Sequence, residues 1–169
     1  MGAALAVLAA ANAAERVDRL VLIAPAGLPL SKSIARSGAD LIRQVATHRY
    51  ALADVLTSAR DVLSAPRSAT RLGRALRRLD LSTQLTEVRR QGTSSLVVGC
   101  TTDTLVTPTH SRTVAALLGA DYLELALPGG HMWMLDHPQV LAELLADAST
   151  TTIGGGIGAS AGHRRGVAA

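Results

Sequence analysis

Two short segments decide the fold of this chain: Gly99-Cys-Thr-Thr-Asp103 and Gly129-Gly-His131-Met-Trp-Met-Leu-Asp-His-Pro138. Each follows a run that is typical of a strand, Leu96 to Val98 before the first and Asp121 to Ala126 before the second. A residue placed directly after such a run is held on a loop at one edge of a sheet. Because the carboxyl ends of neighbouring parallel strands meet at that edge, the acid and the histidine are expected to lie together.

An aspartate held against a histidine supplies two members of a nucleophilic triad, in which the acid orients the imidazole and the imidazole takes a proton from the nucleophile. The competing interpretation is that Asp103 only caps a turn and that His131 is a structural loop residue. The strand before Asp103 and the segment Leu105-Val-Thr-Pro108 after it favour the catalytic role. The two glycines before His131 leave the backbone free to aim the ring.

The nucleophile of such a site sits on a sharp strand-to-helix turn flanked by glycines. The chain contains no Gly-x-Ser-x-Gly, but it begins Met1-Gly2-Ala3-Ala4, which is similar to the second half of that turn. Together with Leu20-Val-Leu-Ile-Ala-Pro-Ala-Gly-Leu28 and the two segments quoted above, residues 1–148 resemble the C-terminal half of an α/β-hydrolase. The family's chain order of nucleophile, acid and histidine is respected.

The resemblance implies a partial α/β-hydrolase fold with three parallel strands, the last three of the family's sheet, and flanking helices. Residues 1–30 and 92–148 would form the core, and residues 31–91 a helical cap or lid insertion. The glycine-rich sequence from residue 149 to 169 predicts a disordered tail. The first strand, Leu20 to Ala24, would have an open edge through which the protein self-associates.

The resemblance also implies the chemistry. Asp103 and His131 would be the acid and base of an esterase-like enzyme that hydrolyses a small ester or a carbon–carbon bond, and the backbone of Met1 would form half of the oxyanion hole if the chain continued upstream. An aspartate nucleophile, as in haloalkane dehalogenases and epoxide hydrolases, stays open. Because the nucleophile and the oxyanion hole are absent, the chain as written is expected to be inactive. Either Met1 is a misassigned start within a longer reading frame, or the chain is a truncated remnant.

The composition is that of a packed globule, with 48% apolar and 18% charged residues. The single cysteine, Cys100, excludes an intrachain disulfide and is expected to be a small buried hydrophobe. No Cys/His cluster has the spacing of a metal site, so neither a metal nor another cofactor is predicted. The alanine-rich run at residues 3–14 is shorter than the ~20 residues that span a bilayer and lacks a basic leader, so a cytoplasmic location is predicted.

Basic residues outnumber acidic ones between residues 31 and 91, within a chain whose formal net charge is +4. A helix predicted from Ala65 to Leu79 carries four arginines on one face and three leucines on the other: Arg67, Arg71, Arg74 and Arg78 against Leu72, Leu76 and Leu79. This face supports an alternative function, a non-catalytic binding domain that uses the basic segment on nucleic acid or anionic lipid. Arginine faces are more often simply solvated and no named nucleic-acid motif occurs, so a small ester-like substrate is favoured over nucleic acid or a membrane as the partner.

Further elements and side chains are assigned from pattern alone. Helices are predicted over residues 2–14 and 109–118, the first buried on most faces, and a last helix begins near Pro138 with Val140, Leu141, Leu144 and Leu145 on one face. His110 and His137 are predicted to be exposed. Trp133 either packs beneath the base or is an isolated core or surface residue.

Overall fold

The computed structural model describes residues 2–29, 36–40, 43, 60 and 64–150. Helix α1 (Gly2–Asn12) leads through a short 3-10 helix (Ala14–Arg16) into strand β1 (Arg19–Ile23). Further along the chain come α2 (Pro66–Arg78), α3 (Ser82–Arg90), β2 (Ser94–Cys100), α4 (Pro108–Leu118), β3 (Asp121–Leu125), a 3-10 turn (Gly130–Met132), α5 (Trp133–Asp136) and α6 (Pro138–Thr150).

The three strands form one parallel sheet in the order β1-β2-β3. In register, Leu20 lies opposite Ser95 and Val98 lies opposite Leu123. The predicted parallel sheet and its flanking helices are therefore confirmed. The strand limits differ from the prediction by one or two residues, since β1 begins at Arg19 and β2 extends from Ser94 to Cys100.

Helices cover both faces of the sheet, and each face has its own core. On one face, α1, α3 and α4 bury side chains against Leu20 and Leu22 of β1 and Val97 of β2; their contributions include Val7, Leu85, Val88, Val114 and Leu118. On the other face, Val98 and Cys100 pack with Trp133 and with partly buried side chains of α6. The guanidinium of Arg19 donates a hydrogen bond to the carbonyl of Ala148, which ties the end of α6 to the start of β1.

Two helices bury less than their sequences predict. Helix α1 was expected to be buried on most faces, but it buries only Ala4, Val7 and Ala10, and Leu5 is 61% exposed. Because apolar side chains surround this helix, its sequence does not indicate which face is covered. In α6, Leu145 is 48% exposed although it was placed with Val140, Leu141 and Leu144. It lies about 140° around the helix from Val140, beyond the stripe that meets the sheet.

Within the predicted cap, residues 31–91, the part that the structure describes consists mainly of α2 and α3, and most of the remainder lies outside the described residues. The assignment of this segment as a cap stays a prediction. Helix α6 extends to Thr150, and residues 151–169 lie outside the described part of the chain, so the disordered tail from residue 149 stays a prediction. Among the described helices, none combines the length and the apolar character needed to cross a membrane.

The packing of α3 against the sheet gives a stability prediction. Leu85 is fully buried between α3 and its neighbours, so Leu85→Ala should lower the free energy of unfolding by about 2–5 kcal/mol through lost burial and a residual cavity. Leu5→Ala is the matched control, because a truncation at this exposed site should change stability by at most ~0.5 kcal/mol. Urea unfolding followed by circular dichroism measures both, and equal effects of the two truncations would contradict the assigned core.

Candidate active site

The pairing of β2 with β3 brings two loops together at the carboxyl edge of the sheet. Cys100, the last residue of β2, lies opposite Leu125, the last residue of β3. The ladder continues for one more hydrogen bond, from the N–H of Thr101 to the carbonyl of Leu125 at 2.9 Å. The loops that carry Asp103 and His131 therefore leave the sheet side by side.

The carboxylate of Asp103 is buried, with 3% of the residue exposed, and both of its oxygens accept hydrogen bonds. Oδ1 accepts from the backbone N–H of Leu105 at 2.8 Å and from that of Val106 at 2.9 Å. The side chain of Asp103 therefore caps a turn, which is the structural role that competed with the catalytic one. The turn uses only Oδ1, so it leaves Oδ2 directed at the second loop.

The second loop holds His131 through two glycines whose positive φ angles lie in a region that favours glycine. Gly129 has φ of 109° and Gly130 has φ of 57°. A Cβ on Gly129 would lie 2.7 Å from Cα of Trp133 and 2.8 Å from Oδ2 of Asp136. The two glycines therefore allow the chain to turn directly into the 3-10 helix that presents the imidazole.

Nδ1 of His131 lies 2.8 Å from Oδ2 of Asp103. The histidine side chain is 28% exposed, whereas the Asp103 side chain is fully buried. With Nδ1–H donating to the carboxylate, the neutral imidazole has its lone pair on Nε2, which is the nitrogen that accepts a proton in a triad. The structure thus brings together the two side chains that the sequence predicted, in the relative arrangement that general-base catalysis requires.

Sequence reasoning missed Thr102, whose side chain links the loop after β2 to the loop after β3 by hydrogen bonds. Its hydroxyl donates to the carbonyl of Leu127 at 2.8 Å and accepts from the N–H of Gly130 at 3.1 Å. The thiol of Cys100 also lies 3.3 Å from the carbonyl of Leu127. Cys100 is fully buried, as predicted, and it takes part in this polar contact between the loops as well as in the core. Nothing in the sequence distinguishes Thr102 from its neighbour Thr101.

The predictions for the other two described histidines are wrong. His110 and His137 are half-buried, and among the described residues the Nε2 atom of each is buried without a hydrogen-bond partner. Burial lowers the pKa of His110, although the charge of Asp103 and a hydrogen bond to the carbonyl of Pro25 act in the opposite direction.

Trp133 and Gly99 are both buried. Trp133 is fully buried against Val98 and Cys100, which resolves the alternatives in favour of a core residue. A Cβ on Gly99 would lie 2.5 Å from the hydroxyl of Tyr122, so the glycine makes room for this ring. Burial and the hydrogen bond from Tyr122 to Glu124 raise the pKa of the phenol to about 12, so it is neutral at physiological pH.

The remaining predicted features are placed as follows. Met1, predicted as an oxyanion-hole residue, lies outside the described residues. In the described ranges, no group of three or more His, Cys, Asp or Glu side chains is arranged to hold a metal ion. A cleft of about 640 Å³ opens between α1 and α3, and neither Asp103 nor His131 lines it.

Comparison with known proteins agrees with this arrangement of strands and loops. The sequence profile of the alpha/beta hydrolase family matches residues 1–144. The chain belongs to the alpha/beta hydrolase family. No curated protein sequence matches the chain significantly.

Several solved structures share the alpha/beta hydrolase fold of this chain. The hydrolase MGS-M2, from a Medee basin deep-sea metagenome library, is 19% identical with a TM-score of 0.62, over 92% of this chain and 65% of its own. The enol-lactonase from Burkholderia xenovorans LB400 is 20% identical with a TM-score of 0.56, over 89% and 63%. Rv0554 from Mycobacterium tuberculosis is 18% identical with a TM-score of 0.55, over 87% and 61%. The chain thus spans a little over three fifths of the length of each of these relatives.

The lowered pKa of His110 gives a pH prediction. The folded pKa lies below the ordinary value of a histidine, so on acidification the unfolded chain takes up this proton first. The contribution of His110 to the free energy of unfolding should therefore fall as the pH drops below about 6.5. Urea unfolding at about pH 7.5 and about pH 5 should show a smaller loss of stability in His110→Gln than in the parent chain. An identical loss in both would contradict the assigned burial.

Proposed function

We propose that this chain supplies the acid and the base of a nucleophile-His-Asp hydrolase that cleaves a small ester. The observation that carries the proposal is the 2.8 Å contact between Nδ1 of His131 and the buried carboxylate of Asp103. Membership of the alpha/beta hydrolase family supports it, because the acid precedes the histidine in that family's chain order.

In the proposed reaction, Nε2 of His131 removes the proton from a nucleophile as it attacks the ester carbonyl. The imidazolium that forms is stabilised by the Asp103 carboxylate, which itself stays unprotonated. His131 then gives this proton to the leaving alcohol, and in the second half of the cycle it activates water in the same way. The two backbone hydrogen bonds to Oδ1 of Asp103 keep the carboxylate in the orientation that this sequence of transfers needs.

The chain contains no Gly-x-Ser-x-Gly, so we propose that the nucleophile is supplied by polypeptide that this sequence does not include. We accordingly propose that the chain by itself does not hydrolyse esters. A small ester is the substrate class that we infer from the triad chemistry and from the family. The enol-lactonase among the relatives is named for a lactone, which is a cyclic ester.

The first test is to read the DNA upstream of the Met1 codon and to express the extended chain. An in-frame Gly-x-nucleophile that meets Met1-Gly2 would complete the turn, and the extended protein should then hydrolyse p-nitrophenyl acetate. His131→Ala and Asp103→Asn should each lower kcat/KM by about 10³-fold or more, because removing either member disables the triad.

Asp18→Asn is the matched control, because Asp18 is an exposed aspartate outside the site. This variant should retain parental kcat/KM. A stop codon directly upstream, or full activity in His131→Ala, would refute the proposed hydrolase. Unchanged circular dichroism in each variant separates lost chemistry from lost folding.

A further inference from the structure

Helix α2 presents an arginine stripe that the hydrolase chemistry does not use. The stripe consists of Arg67, Arg71, Arg74 and Arg78, and all four side chains are exposed. It extends about 17 Å along the helix, since each residue adds ~1.5 Å. The helix itself contains no acidic residue. Among the described residues, none of the four arginines has an acidic partner within ion-pair distance.

The opposite side of α2 is apolar and only partly covered. Leu72 is 44% exposed, Leu76 is half-buried, and no residue of the helix is buried, whereas Leu79, directly after the helix, packs against the core. A helix whose leucine stripe served only to pack against the protein would bury it, as α3 buries Leu85 and Val88. In the described part of the chain, α2 therefore leaves its cationic face and the exposed Leu72 available to a partner.

We propose that α2 is a docking helix for anionic membrane surfaces. A helix with a strongly cationic face, a leucine stripe and low net hydrophobicity is the type that lies in the membrane interface. Arg71 and Arg78 lie about 100–120° around the helix from Leu72, so their long side chains reach the headgroups while the leucine enters the acyl boundary. Arg67 and Arg74 face the water layer, where the negative surface potential still acts within a Debye length of ~8–10 Å.

A lipid surface suits this helix better than nucleic acid does. Phosphates of a duplex would engage the arginine stripe alone and would leave Leu72 exposed to water. An anionic bilayer satisfies both stripes at once, because it combines negative headgroups with an apolar layer directly beneath them. The inference is independent of the proposed hydrolase, since neither Asp103 nor His131 contributes to it.

Binding of the full 169-residue chain to vesicles tests the inference. The probes are vesicles of phosphatidylcholine with about 30% phosphatidylserine and vesicles of phosphatidylcholine alone, separated by flotation. We expect binding to the first that weakens with salt, and little binding to the second. Arg71→Gln combined with Arg78→Gln should weaken binding about 25-fold, at roughly fivefold for each arginine.

Three further variants and probes make the test specific. Arg16→Gln combined with Arg90→Gln removes the same charge from exposed sites elsewhere and should leave binding within about threefold of the parent. Leu72→Ser should weaken binding at least about threefold, which a purely electrostatic contact would not show. Fluorescence of Trp133, the single and fully buried tryptophan, checks that each variant is folded.

Absence of binding to the phosphatidylserine vesicles would overturn the inference. Equal losses in the two double-arginine variants would also overturn it, because they would show a response to net charge alone. Binding to a short DNA duplex that is as tight as vesicle binding and insensitive to Leu72→Ser would assign the stripe to nucleic acid instead.

Discussion

The parallel pairing of β2 with β3 is the constraint on which the site depends. It places the last residues of the two strands opposite each other, so the loops that follow begin at a fixed separation. The Thr102 hydroxyl then joins the loops through the carbonyl of Leu127 and the N–H of Gly130. Only within this frame does Oδ2 of Asp103 meet Nδ1 of His131. A register shift of one residue would move the acid by about 3.3 Å and turn it to the other side of the sheet.

Burial of the Asp103 carboxylate has a free-energy cost, which the same geometry offsets. A buried carboxylate is costly unless hydrogen bonds replace its water, and Asp103 receives two from backbone N–H groups and one from His131. Two of these bonds form within the Asp103 loop itself, so they orient the carboxylate independently of His131. The histidine keeps partial exposure, which a base needs if it is to reach a substrate. The four arginines of α2, in contrast, are exposed and keep their charges in water.

Patterns with a local cause were readable in the sequence. The apolar runs before Asp103 and His131 predicted β2 and β3, and the paired glycines predicted the turn that aims His131. The errors concern quantities that depend on tertiary packing. Leu5 and Leu145 are exposed because neighbouring layers do not extend over them, and His110 is half-buried although it lies in the first turn of a helix. The role of Thr102 was equally hidden, since a threonine in a loop gives no sign of which distant carbonyl it will meet.

The most direct measurement is the proton NMR spectrum of the ring N–H groups in the folded chain. A histidine that donates Nδ1–H to a buried carboxylate should give a far-downfield resonance that is protected from exchange with water. We expect this resonance in the parent protein, its retention in Asp18→Asn and its loss in both Asp103→Asn and His131→Gln. No such resonance in the parent, or one that persists in Asp103→Asn, would contradict the claim that the chain holds a preformed acid–base pair.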